Sequence, residues 1–98
     1  MNIELKKDGT ALTIILDGRL DTLTAPELED IVEDNIAGVT DLTFDLDKIV
    51  YLSSAGLRVF MGAQKIMIEQ GSMELINVHS DILDILDMVG LTDVFTIR

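Results

Sequence analysis

The sequence of 98 residues contains no cysteine and no tryptophan, and only 4 % of its residues are aromatic. The absence of cysteine excludes disulfide bonds and thiolate metal sites. Because the chain is nevertheless 48 % hydrophobic, its core must consist of leucine, isoleucine and valine, with methionine filling gaps. This apolar content favours folding over disorder, and the length supports one domain, residues 1–98.

Basic residues are also scarce, since 7 Lys and Arg stand against 18 Asp and Glu, giving a net charge of −11. This charge disfavours binding to nucleic-acid phosphates or to an anionic membrane, and it favours basic partner surfaces. No apolar run reaches the roughly 18 residues that a membrane span needs, and no secretory signal is visible. We therefore expect a cytoplasmic protein that binds neither nucleic acid nor membrane.

Strand and helix patterns alternate along the chain. Asp8-Gly9 separates two short apolar runs and predicts an antiparallel hairpin. After the hairpin, strand patterns at 42–46, 72–76 and 94–97 alternate with helical patterns that end near Gly38, Gly71 and Gly90. The order β-β-α-β-α-β-α-β predicts an α/β fold, with a mixed sheet of about five strands and three main helices.

Capping residues and apolar spacing predict how each helix begins and which face it buries. The first helix is expected to begin at a Thr24 cap with Glu27 as in a capping box, and the third at a Ser80 cap. The inward side chains are predicted to be Leu28, Ile31, Val32 and Ile36 on the first helix, Leu57, Phe60, Met61 and Ile68 on the second, and Ile82, Leu83, Leu86 and Val89 on the third. The second helix is apolar on more than one face, which also fits a partner-binding patch.

The segment Ser53-Ser54-Ala55-Gly56 lies where a strand end meets the second helix. Unpaired backbone N–H groups and the helix dipole favour an anion at such a position, so a phosphoserine would be tolerated there. The simpler interpretation is that one of these serines only caps the helix. The local sequence leaves both interpretations open.

Motifs for enzymes and metal sites are missing. There is no GxxxxGK[ST] phosphate loop and no GxSxG elbow, and His79 is the only imidazole that could serve as a base. The acidic residues Asp81, Asp84 and Asp87 recur on the third helix, but they fit a solvated face better than an ion site. The sequence therefore predicts no catalysis, no metal and no cofactor.

Two motifs resemble those of the STAS family, specifically its bacterial anti-sigma factor antagonists. The stretch 45–57 is similar to the family's phosphorylation loop, in which a serine-containing Gly-Leu turn leads into the second helix. Gly18-Arg19-Leu20-Asp21, followed by Thr24-Ala25, is similar to its Gly-x-Leu-Asp turn. Length, element order and a Gly90-Leu91 turn also agree, so the resemblance covers essentially the whole chain.

The resemblance implies a partner-switching regulator rather than an enzyme. In that family the unphosphorylated protein binds a GHKL-type serine kinase that is also an anti-sigma factor. Phosphorylation of the loop serine breaks the complex, and a PP2C-type phosphatase restores it. By resemblance, Asp21 lies near the acceptor loop, and we expect it to form one partner-binding interface with Ser53, Ser54, Gly56 and Arg58.

The acceptor loop departs from the usual family pattern. Aligned on Gly56-Leu57, this chain has Ser53 where many members have Asp, and Ala55 directly before the glycine. We predict phosphorylation of Ser54, with Ser53 as the second choice. Two other functions stay open at this stage: a STAS scaffold in a pathway without a sigma factor, such as secretion or exopolysaccharide control, and a small enzyme with a serine nucleophile.

Overall fold

The computed structural model describes all 98 residues and contains five strands and three helices in the predicted order. The elements are β1 (Asn2–Asp8), β2 (Ala11–Leu20), α1 (Ala25–Asn35), β3 (Asp41–Leu52), α2 (Ser54–Gln70), β4 (Ser72–Ile76), α3 (Ser80–Met88) and β5 (Thr96–Ile97). In the sheet the strands lie in chain order; β1 is antiparallel to β2, and all other neighbours are parallel. The prediction of an α/β fold with a mixed five-stranded sheet is confirmed.

The core lies between the helices and one face of this sheet. Every second residue of β2 from Leu12 to Leu16 is buried, and β3 shows the same alternation from Leu42 to Leu46. Phe60 of α2 has its ring centroid 4.8 Å from that of Phe44 and 6.4 Å from that of Phe95. All buried core residues are hydrophobic, and burial of these side chains holds α2 on the sheet. At the end of α2, the Gln70 Nε2 atom also donates hydrogen bonds to the carbonyl oxygens of Ile36 and Val39, both at 2.6 Å.

Strands β2 and β3 are both longer than the sequence patterns predict. Between Asp45 and Tyr51, β3 shifts register twice against β2, and each shift adds one residue to β3. The two strands then end together, because Leu20 pairs with Leu52. Consequently, the loop before α1 and the start of α2 begin side by side at the same edge of the sheet.

The predicted cap position is confirmed for α1 and wrong for α3. Thr24 is the N-cap residue of α1, but its hydroxyl makes no capping bond, because it is engaged with the backbone of Asp21 and Arg19. Helix α3 begins one residue earlier than a Ser80 cap would require. Its N-cap is His79, whose carbonyl oxygen accepts a hydrogen bond from the Leu83 N–H at 2.9 Å.

Several apolar side chains face outward, against the prediction. Met61 and Ile68 are 43 % and 70 % exposed, because each follows a buried residue and is thus turned about 100° away from the core. Val59, Ala63 and Met67 are buried on α2 instead. Leu83 of α3 and the C-cap residue Val89 are also exposed, since α3 is short and buries only Ile82 and Leu86, with Ile85 partly buried against the core. None of the three helices is long and apolar enough to cross a membrane.

Candidate functional site

Asp21 organises the turn that connects β2 to α1. Its Oδ1 accepts hydrogen bonds from the N–H groups of Leu23 (3.0 Å) and Thr24 (3.1 Å). The Thr24 hydroxyl in turn accepts from the Asp21 N–H at 2.9 Å and donates to the Arg19 carbonyl at 2.7 Å. These reciprocal bonds replace the predicted capping box and hold the turn in one conformation.

The carboxyl group of Asp21 is held in its ionised form by this turn. The hydrogen bond from the Leu23 N–H is the largest cause that lowers the pKa of Asp21 below its usual value, and the bonds from Thr24 and the charge of Arg19 add to it. Partial desolvation acts in the opposite direction. The site therefore keeps a fixed negative charge beside the start of α2.

Ser53 and Ser54 both lie at the start of α2, as predicted, but in different roles. Ser53 is the N-cap: its backbone is extended, with φ −96° and ψ 171°, and its hydroxyl oxygen accepts a long hydrogen bond of 3.5 Å from the Gly56 N–H. Its own N–H donates to the Leu20 carbonyl at 2.9 Å. Ser54 is the first helical residue and is exposed. The Ser53 hydroxyl is thus used in the helix cap, whereas the Ser54 hydroxyl is not.

Gly56 allows the first turn of α2 to approach the sheet. A Cβ atom at this position would lie 2.6 Å from Cγ of Leu20 and 2.9 Å from Cδ1 of Leu52. Leu20 and Leu52 are the last residues of β2 and β3, and both are buried. The glycine therefore fixes the serines close to the Asp21 turn.

Arg58 lies one helical turn beyond Ser54, on the same side of α2. Its side chain is exposed and lines a groove between α1 and α2. The ion pair of Asp21 is with Arg19, at 3.7 Å, and not with Arg58. Ser53, Gly56 and the Asp21 turn are thus brought together by direct contacts, whereas Arg58 borders this group.

Exposed apolar side chains, called here the apolar rim, lie in the turn after β2 and near the end of β3, and the sequence reasoning missed them. Leu23 is 88 % exposed and Val50 is 67 % exposed. The guanidinium group of Arg19 lies 4.4 Å from the centroid of the Tyr51 ring, and these two residues are neighbours across β2 and β3. The apolar run from Ile49 to Leu52 carried a signal, because a sheet covered by helices on one face cannot bury four successive side chains of a strand.

The imidazole of His79 does not contact either serine. The His79 Nε2 atom lies 2.8 Å from the Asp47 carbonyl oxygen and 3.2 Å from Asp47 Oδ1, and neither serine is its partner. What the site does offer is an accessible hydroxyl at a helix N-terminus, a fixed carboxylate and an apolar rim. Such a surface is suited to binding a protein and to being changed by a charged modification.

Comparisons with known proteins find similar sequences and folds over nearly the whole chain. A family model described as "STAS domain" matches residues 2–98. The anti-sigma-B factor antagonist of Bacillus subtilis (strain 168) is 29 % identical over 98 residues, covering 99 % of this chain and 90 % of that protein. An anti-sigma factor antagonist from Mycobacterium paratuberculosis has a similar fold, with a TM-score of 0.89, 18 % identity and coverage of 99 % of this chain and 84 % of that one. The Bacillus cell fate determinant SpoIIAA in the phosphorylated form gives a TM-score of 0.77, 17 % identity and coverage of 99 % and 91 %.

Proposed function

The chain belongs to the STAS domain family, and we propose that it acts as an anti-sigma factor antagonist whose binding is switched by phosphorylation of Ser54. The observation that carries this proposal is the exposed Ser54 at the start of α2, beside the ordered Asp21 turn. The name of the Bacillus subtilis relative, an anti-sigma-B factor antagonist, supports the same role.

In the proposed mechanism, the unphosphorylated surface binds an anti-sigma factor that is also a GHKL-type serine kinase. The exposed side chains of Leu23 and Val50 lose water on binding, and the neutral Ser54 hydroxyl lies within the contact. A phosphate on Ser54 adds about −1.5 to −2 charges to this contact. Where the partner presents acidic or apolar surface to this phosphate, repulsion and desolvation would then weaken binding by about 2–4 kcal/mol.

The fold itself is expected to tolerate the phosphate. Ser54 is the first residue of α2, so its phosphate would lie near unpaired N–H groups and the positive end of the helix dipole. The switch would therefore act on the interface and not on the folded state. A PP2C-type phosphatase would restore the binding form, and we place this cycle in the cytoplasm.

Phosphosite mapping tests the proposal. The protein is incubated with ATP and each GHKL-type kinase of its own genome, and the products are mapped by mass spectrometry. We expect one kinase to modify Ser54, the Ser54→Ala variant to remain unmodified, and the Ser53→Ala variant to be modified as the wild type is. Modification of Ser54→Ala but not of Ser53→Ala would move the acceptor to Ser53, and the absence of modification by every kinase would refute the switch.

A binding measurement on the same kinase tests the regulated pathway. We expect the kinase to bind a sigma factor in the absence of this chain and to release it when the unphosphorylated chain is added. The Arg58→Glu variant should release it less efficiently, because Arg58 borders the acceptor site. A kinase that binds this chain but no sigma factor would assign the chain to a different partner-switching pathway.

A further inference from the structure

A groove of about 300 Å³ runs between α1 and α2, next to the site described above. Apolar side chains from both helices form its floor, and carboxylates of α1 form one wall. Arg58 lies at its border, one turn from Ser54. The lining residues are Glu29, Val32, Glu33, Arg58, Val59, Gly62, Ala63 and Ile66.

Gly62 keeps this groove open, although the fold does not require a glycine there. It is exposed in the middle of α2, with helical backbone, where glycine is less favourable than alanine. Apart from its two chain neighbours and the backbone of its own helix, no atom lies within 4 Å of the position that a Cβ would take, in contrast to the close contacts at Gly56. What the glycine provides is therefore empty space above the helix.

The charges around this space favour a cationic occupant. Glu29 and Glu33 are one turn apart on α1, so both carboxylates face the groove from the same wall. Neither takes part in an ion pair, since the pairs within 4.0 Å involve Arg19, His79 and Arg98. The two carboxylates outnumber the single arginine at the border, and the chain as a whole carries a net charge of −11, so the groove is acidic.

We infer that this groove is a second contact for the anti-sigma factor kinase, and that it binds an amphipathic helix of that partner. One apolar side chain of the helix, of the size of leucine or methionine, lies over Gly62, while lysine or arginine side chains reach Glu29 and Glu33. Helix-in-groove binding uses this combination of an apolar anchor and flanking charges. Arg58 joins the groove to Ser54, so one partner can cover both surfaces. The inference rests on the proposed function.

The test is calorimetric titration of the full chain with the kinase identified by phosphosite mapping. Gly62→Leu fills the groove, and Gly62→Ala is its control, since it makes the same backbone change with a single added methyl group. Glu29→Gln/Glu33→Gln removes the acidic wall. Its control is Asp30→Asn/Asp34→Asn, which removes two charges at the same spacing from the exposed side of α1.

We expect Gly62→Leu to bind at least tenfold more weakly than the wild type, although its melting temperature is equal or higher. Gly62→Ala should bind within about threefold of the wild type. The Glu29/Glu33 double variant should lose at least fivefold, and its control less than twofold. The groove inference is overturned if both Gly62→Leu and the Glu29/Glu33 variant bind with wild-type affinity while Ser54→Asp still loses binding. That result would leave the proposed function intact. If no kinase binds or modifies the wild type, the proposed function fails, and the groove inference fails with it.

Discussion

The first and third turns of α2 each contain a glycine, and the two glycines have opposite surroundings. At Gly56 the helix lies so close to the sheet that an added methyl group would overlap with Leu20 and Leu52. At Gly62 the same methyl group would meet no atom within 4 Å. The first turn is thus fixed by packing, and the third turn is left open toward solvent.

This difference shows how one helix can serve both the fold and the interface. The close approach at Gly56 fixes where Ser53 and Ser54 emerge, so the geometry of the acceptor site depends on the core. The open position at Gly62 contributes nothing to the core and only shapes the surface. In the first turn, a substitution at the packed Gly56 should therefore change stability, and one at the exposed Ser54 should change binding. In the third turn, a substitution at Gly62 should change the surface without disturbing the core.

The largest effect is expected for Ser54→Asp, which adds charge in the first turn without touching the core. Binding to the kinase should weaken by about 2–4 kcal/mol, because the charge must be desolvated near Asp21 and the apolar rim. Stability should be equal or slightly higher, because an acid near a helix N-terminus is favourable. Titration calorimetry and thermal melts on the same samples measure both. A parallel loss of stability and binding would contradict a surface switch, and Ser54→Ala is the control that keeps the residue neutral.

Gly56→Ala tests the packed side of the comparison. The added Cβ forces Leu20 or Leu52 to move, and overpacking of a buried contact costs about 1–3 kcal/mol. Urea denaturation should show this loss as a lower midpoint with an unchanged slope. Wild-type stability would show that the first turn is not fixed by this contact.

Gly62→Ala tests the open side with the same chemical change. We expect a gain of about 0.5–1 kcal/mol in the free energy of unfolding, since alanine is the better helix former and meets no neighbour. The same urea titration as for Gly56→Ala measures it. A loss of stability here would remove the contrast between the two turns.

Periodicity was sufficient to predict the fold but not the details of the site. The alternation of apolar residues in β2 and β3 and the repeated helical spacing report burial directly, so the element order and sheet type were predicted. The exposure of Met61 and Ile68 was not predicted, because the spacing shows that a helix has an apolar face but not how much of that face the sheet covers. The two register shifts of β3 were also missed, since they depend on pairing with β2.

The acceptor loop shows the same limit. The serines could be placed at the start of a helix from the sequence, because a strand pattern and a helix pattern meet there. The division of roles between Ser53 and Ser54 depends on which of the two residues has the extended backbone of an N-cap, and the sequence pattern does not distinguish them. The turn organised by Asp21 had a readable signal in the spacing of Asp21 to Thr24, but Glu27 offered a competing interpretation as part of a capping box.

The smallest effect is expected at Asp21, whose turn borders the first turn of α2. The folded protein lowers the pKa of Asp21, chiefly through the Leu23 N–H, so the unfolded chain binds its proton more readily. The ionised carboxylate therefore adds stability above the unfolded pKa of about 3.9, and this contribution is lost as the pH falls through the lower folded value. Asp21→Asn keeps an oxygen acceptor but removes the charge. We expect it to be less stable than the wild type at pH 7 and to match it in strongly acidic solution, as measured by urea denaturation across this range. Asp30→Asn, which removes an exposed carboxylate of α1, controls for the change in net charge. A stability gap between Asp21→Asn and the wild type that does not change with pH would show that the turn depends on the shape of the side chain and not on its charge.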